Sequence, residues 1–180
     1  LPLAALVFSL ALAQPFDHVI ITKHNLIPSF APLCSVVENT LGFNDTLVTV
    51  EDIYRSFPGR DDAERIRSFI QYAYTNWSTT HVLLGGDVEV VPYRTGFVVY
   101  ETRERHIPSD LYFSALDGDW DGDGDGVFGE IEDSVDLYPD VRVGRMPASG
   151  PGAMGMCVET FVSYVSRPEA DYLDKVFLNA

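Results

Sequence analysis

From Asp17 onward the chain alternates short apolar runs with amphipathic stretches, and that rhythm restricts it to a small set of folds. His18 to Thr22 (HVIIT), Thr46 to Val50 (TLVTV) and His81 to Leu84 (HVLL) read as strands. Leu26 to Leu41 and Asp61 to Trp77 read as the helices between them. Strand, helix, strand, helix, strand is the order of a parallel sheet with crossover helices, so an α/β fold with a parallel-rich sheet flanked by helices is expected. The helix from Asp61 is the clearest element. Asp61 or Asp62 can cap its start, and Ala63, Ile66, Phe69, Ile70, Ala73 and Trp77 recur at helical spacing. Glu64, Arg65, Arg67 and Gln71 make its other, polar face. Gly42 is placed to cap the end of the preceding helix.

After Asp87 the apolar runs Val90 to Pro92, Phe97 to Tyr100 and Leu111 to Ala115 leave no room for helices, so antiparallel additions or excursions are expected. The chain should return through Val141 to Val143 as a strand and through a helix from Ala153 to Val165 that Arg167-Pro168 ends. A last strand is expected at Val176 to Leu178. The length of 180 residues with 46% hydrophobic content suits one core and excludes a disordered chain.

Charge narrows the function. The 27 acidic residues exceed the 12 basic ones, and 11 of the acids lie between residues 110 and 140, where there is no Lys or Arg. A net charge of -15 repels phosphate backbones and anionic lipid, so nucleic acid is not expected as a partner. Leu1 to Ala13 (LPLAALVFSLALA) is an apolar run ending in small residues, which resembles a secretory signal. It is shorter than the roughly 20 apolar residues of a membrane span. A secreted, extracellular protein whose mature chain begins at or near Gln14 is expected. Cys34 and Cys157 have apolar neighbours on expected helices, which favours free or buried thiols. His18, His24, His81 and His106 are scattered and form no zinc spacing with them.

Residues 117–130 read DGDWDGDGDGVFGE, and the D-x-D-x-D-G-x5-E spacing of a calcium loop fits twice. One register uses Asp119, Asp121, Asp123, Gly124 and Glu130. The other uses Asp121, Asp123, Asp125, Gly126 and Glu132, and it is preferred because Phe128 then follows Gly126 as an anchor. Five aspartates in nine residues repel one another unless a cation neutralises them. The expected ligands are Asp121, Asp123, Asp125, the Val127 carbonyl and Glu132, with Asp117, Asp119 and Glu130 as second-register or outer ligands. The flanks lack a helical stripe, since Leu111 to Leu116 alternates like a strand, so a structural ion is expected instead of an EF-hand switch.

GxSxG, HExxH, Walker and GxGxxG motifs are all missing. Gly85-Gly86-Asp87 ends a strand where ligands of open α/β sheets bind, but the plainer role of Asp87 is a turn carboxylate accepting backbone N–H groups.

One combination is more specific. HVLLGGD at 81–87 followed by Val91-Pro92, PSDLYF at 108–113, the acidic loop and DLYPDVRVGRMPA at 136–148 together resemble the gingipain-type cysteine peptidases. Phe16 to Thr22 and VTVEDIYRSFPGR at 48–60 match in the same order. The resemblance implies a caspase-like (flavodoxin-like) half-domain with an inserted calcium loop, spanning residues 16–180 after the signal-like segment 1–13. It also implies peptide substrates and a Cys/His dyad whose His sits in a Gly-His-Gly setting. Neither motif of that dyad occurs here, so no family catalytic residue is carried onto this sequence. The dyad is expected downstream of Ala180, in the remaining C-terminal half, and this stretch alone should be inactive. The rival reading is a calcium-stabilised extracellular binding module of the same fold without catalysis.

Overall fold

The computed structural model describes residues 15–135 and 137–166. The segment Leu1 to Ala13, the cleavage position near Gln14, the Arg167-Pro168 stop and the strand expected at Val176 to Leu178 lie outside the described residues.

Three of the expected strands form the centre of the sheet. β1 (His18–Thr22) lies between β2 (Asp45–Thr49) and β3 (His81–Gly85), and β6 (Arg142–Met146) adds beyond β3, giving the parallel order β2-β1-β3-β6. His18 is level with both Asp45 and His81. Val19, Ile20 and Ile21 of β1 are fully buried, as expected for a β-branched run in a strand covered on both faces. The flanking helices are α1 (Ala31–Val36), α2 (Val50–Ser56), α3 (Asp62–Trp77) and α4 (Pro151–Val165).

The helix expected over Leu26 to Leu41 is broken into three pieces. A 3-10 segment covers His24–Phe30, α1 follows, and a π turn covers Val37–Leu41. Pro28 and Pro32 each remove a backbone donor and obstruct the preceding turn, so one continuous α-helix is not available. Gly42 ends the unit in the left-handed region at φ 72°, the role expected of it. Helix α2 was not expected, although its signal is present. Thr49 accepts from the Asp52 N–H at 3.1 Å, a T-x-x-D cap just before an apolar turn.

Helix α3 is capped by Asp61, whose carboxylate accepts from Glu64 N at 2.9 Å. Its apolar stripe is buried as expected, but Arg67 on the polar face is only 8% exposed. Arg67 and Gln71 of that face meet the chain between β3 and β6. Residues Leu111–Phe113 form a 3-10 turn, against the expectation of a strand. The reason lies in their carbonyls. Arg67 Nε donates to Tyr112 O at 3.0 Å, Arg67 Nη2 to Ala115 O at 2.9 Å, and Gln71 Nε2 to Leu116 O at 2.6 Å, so side chains replace a neighbouring strand.

The expected antiparallel addition is a hairpin of β4 (Arg94–Tyr100) and β5 (Arg103–Ser109). Val90 to Pro92 belongs instead to a turn, in which Val90 N and Val91 N donate to Asp87 O at 3.1 and 2.8 Å. The glycines before it serve packing. A Cβ on Gly85 would lie 2.5 Å from the Phe30 ring, and one on Gly86 2.3 Å from Val90 Cβ. Asp87 accepts from Glu89 N at 3.0 Å, the turn role expected of it.

Candidate metal centre

The acidic loop folds because three arginines from other elements converge on its flanks. Arg67 of α3, besides its bonds to Tyr112 and Ala115, donates to Asp117 O at 3.0 Å and fixes the entry to the loop. Arg94, at the start of β4, grips Asp61 through two bonds of 2.8 Å. Its guanidinium lies 4.0 Å from the centroid of Phe128 and 4.7 Å from that of Tyr112. Arg60, between α2 and α3, donates from Nη1 to Asp121 Oδ2. Phe128 is the anchor expected of it, since its carbonyl also accepts from Phe97 N of the hairpin at 2.8 Å.

Within the loop, carboxylates turn back onto backbone N–H groups. Asp119 accepts from Asp121 N at 3.1 Å, Asp123 from Asp125 N at 3.1 Å, and Asp125 from Val127 N at 2.7 Å. Asp121 Oδ1 accepts from Gly126 N at 2.8 Å. Gly124 and Gly126 take φ of 79° and 85°, left-handed values that let the chain curl around the carboxylates. Gly129 at φ 78° lies against Trp120, which is buried and packs edge-on against Tyr112.

The structure brings together the three aspartates of the preferred register. Asp121, Asp123 and Asp125 each place a carboxylate oxygen within 4.8 Å of the others. Among the described residues Asp117, Asp119, Glu130 and Glu132 lie outside that group. Val127 contributes its N–H to the loop's own bonding. Sequence reasoning missed Asp133. It is buried and accepts from Gly122 N at 2.6 Å, Gly129 N at 2.9 Å and Glu130 N at 3.2 Å, tying the two ends of the loop together. The acidic spacing pattern gives no signal for it, because its partners are backbone groups.

The Gly126 N–H and the Arg60 guanidinium hold the Asp121 carboxyl below its ordinary pKa. Glu130 moves the other way. Desolvation, then the carboxylates of Asp125, Glu132, Asp123 and Asp133, push its pKa up. The donor set is all oxygen and anionic, which suits a hard cation such as calcium. A positive group from outside the loop already rests on Asp121, in the role of a stand-in cation. Asp121, Asp123 and Asp125 could therefore hold a metal ion.

No peptidase dyad forms among the described residues. Cys34 on α1 and Cys157 on α4 are free, half-buried thiols. Burial, then the neighbouring Asp45 carboxylate, pushes the Cys34 thiol up to about 12. Asp45 in turn is 2.7 Å from His18 Nδ1, so the group beside the sulfur is a carboxylate and not an imidazole. Arg145 of β6 is structural. It holds Asp110 through two bonds of 2.7 Å and donates to Val91 O at 2.6 Å, joining both ends of the hairpin excursion to the sheet.

A four-stranded parallel sheet flanked by helices places the chain in the caspase-like α/β class. The profile of Peptidase family C25 matches residues 11–180, and the chain belongs to that family of cysteine peptidases. The resemblance read from its motifs is thereby borne out. The fold is similar to that of dimeric latent PorU from Porphyromonas gingivalis, with a TM-score of 0.57 and 19% identity over 84% of this chain and 16% of that one. A structure described only as a protease gives a TM-score of 0.62 and 19% identity over 88% of this chain and 30% of that one. The complex of the pro- and mature domains of RgpB from the same organism gives 0.56 and 18% identity over 82% and 29%. The chain thus spans less than a third of the length of each. No curated protein matches it. No helix among the described residues is long and apolar enough to cross a membrane.

Proposed function

We propose that this chain is the N-terminal, non-catalytic part of a secreted cysteine endopeptidase. In this reading residues 16–180 follow a signal-like segment at 1–13, and calcium in the acidic loop stabilises them. The observation that carries the reading is the family match over residues 11–180. Peptide-bond hydrolysis needs a thiolate paired with a base, and burial together with Asp45 suppresses the thiolate of Cys34. The dyad is therefore assigned to the C-terminal half that follows Ala180, which this half would buttress. A thiol-directed active-site probe, applied to this chain and to the longer protein, should label only a downstream cysteine and detect hydrolysis only in the longer protein. Labelling of Cys34 or Cys157 with hydrolysis by this chain alone contradicts the assignment. An inert longer protein favours a calcium-stabilised extracellular binding module instead.

Asp121, Asp123 and Asp125 would hold the ion, with the Val127 carbonyl and Glu132 completing the set. Asp117, Asp119 and Glu130 would supply outer negative charge. Calcium supplies charge neutralisation here and no reaction chemistry. Loops of extracellular modules bind it with a Kd of about 10⁻⁴ to 10⁻³ M. At ten times the Kd, binding to the folded state adds about 1.4 kcal/mol. For a domain of this size that raises Tm by roughly 3 to 6 °C. Calorimetry with calcium and with chelator reads the shift, and Asp123→Ala should abolish it. An identical Tm in both conditions for the unsubstituted chain refutes the calcium assignment.

A further inference from the structure

We propose that Arg60 is a tethered competitor for the metal: it neutralises Asp121 in the metal-free loop and must release that carboxylate when a divalent cation binds. The inference rests on the calcium reading above. Asp121 is held firmly, with its side chain 3% exposed and its Oδ1 fixed by the Gly126 N–H at 2.8 Å. Arg60 is not. Its side chain is 53% exposed and belongs to the connection between α2 and α3. It also has a second carboxylate at hand, because Glu64 Oε2 accepts from Arg60 Nε at 2.9 Å and from Arg60 N at 2.6 Å. The guanidinium can therefore swing onto Glu64 without losing its ion pair, whereas Asp121 cannot leave the loop.

The sign of the coupling follows from Coulomb's law. A guanidinium and a metal ion on one carboxylate repel each other, and the repulsion grows with the charge of the metal. Arg94 and Arg67 do not compete in this way, since the first is bound to Asp61 and the second to backbone carbonyls. Metal occupancy is thereby transmitted to Glu64 in the first turn of α3, through the side chain that moves.

The test is a titration of the whole chain and its Arg60→Gln, Arg60→Lys and Asp123→Ala variants. Calcium is followed by calorimetry, and terbium by luminescence excited through Trp120, which immediately precedes Asp121. Arg60→Gln should bind calcium roughly twofold to fivefold more tightly, the size expected of a partly exposed ion pair. The gain should be larger for trivalent terbium, and Arg60→Lys, which keeps the charge, should stay within about twofold of the unsubstituted chain. Asp123→Ala should lose both metals. Equal affinity of the unsubstituted chain and Arg60→Gln overturns the competition and leaves the calcium reading standing. Weaker binding by Arg60→Gln overturns it in favour of a positioning role. Failure of every protein to take up either metal, or undiminished uptake by Asp123→Ala, overturns both readings.

Discussion

Arg67→Ala should destabilise the domain by about 3 to 5 kcal/mol, because several buried backbone carbonyls lose their donor at once. The guanidinium is almost fully enclosed, and burial lowers its pKa against the opposing pull of Tyr112 and of the Asp119, Asp117 and Glu64 carboxylates. Its partners are the carbonyls of Tyr112, Ala115 and Asp117, with the Tyr112 ring 5.1 Å from its carbon. Each buried carbonyl left without a donor costs about 1 to 3 kcal/mol. Arg67→Lys should recover only part of the loss, because an ammonium lacks the planar fork that reaches carbonyls on several residues. With a urea slope of about 2 kcal/mol/M, Arg67→Ala moves the midpoint down by roughly 2 M. A midpoint within 0.5 M (about 1 kcal/mol) of the unsubstituted chain rejects the assignment.

Asp133→Ala should cost about 2 to 4 kcal/mol without any metal, because three backbone N–H groups lose a charged acceptor inside the fold. The neighbouring Glu132→Ala provides the contrast. Glu132 is exposed and, among the described residues, makes no bond that closes the loop, so its loss should change metal-free stability by no more than about 0.5 kcal/mol. Under the calcium reading Glu132→Ala should still weaken the ion's stabilising effect. Chemical unfolding of both variants, each in chelator and in calcium, separates the two roles. Equal metal-free losses for the two variants remove the distinction between a residue that shapes the loop and one that serves the ion.

The parts of the fold legible in the sequence are those whose cause is local. The apolar runs at 18–22 and 81–85 form the sheet centre, as expected for strands covered on both faces. Helix α3 formed from Asp61 to Trp77 because a cap and an apolar stripe agreed over four turns. Where local signals conflicted, the reading failed. Two prolines divided the stretch after β1, and the capping pair Thr49 and Asp52 went unused although it starts a helix.

The candidate site divides along the same line. Alternate aspartates with glycines between them are a local pattern, and Asp121, Asp123 and Asp125 do converge. What surrounds them is not local. Residues 110–140 contain no basic residue, yet Arg60, Arg67, Arg94 and Arg145 all reach this stretch, each touching a partner 34 to 61 positions away along the chain. Composition alone therefore presents an unneutralised acidic segment.

By itself the sequence determined the α/β alternation, the peptidase family and the three carboxylates that meet, because each is written in neighbouring residues. Only the tertiary structure decided that Arg67 turns inward and that Leu111 to Phe113 coils. It alone showed that Asp133 closes the loop and that Arg60 rests on Asp121. Each of these depends on which backbone donor or acceptor is left without a partner after the elements pack, and that is settled by contacts between residues far apart in the chain.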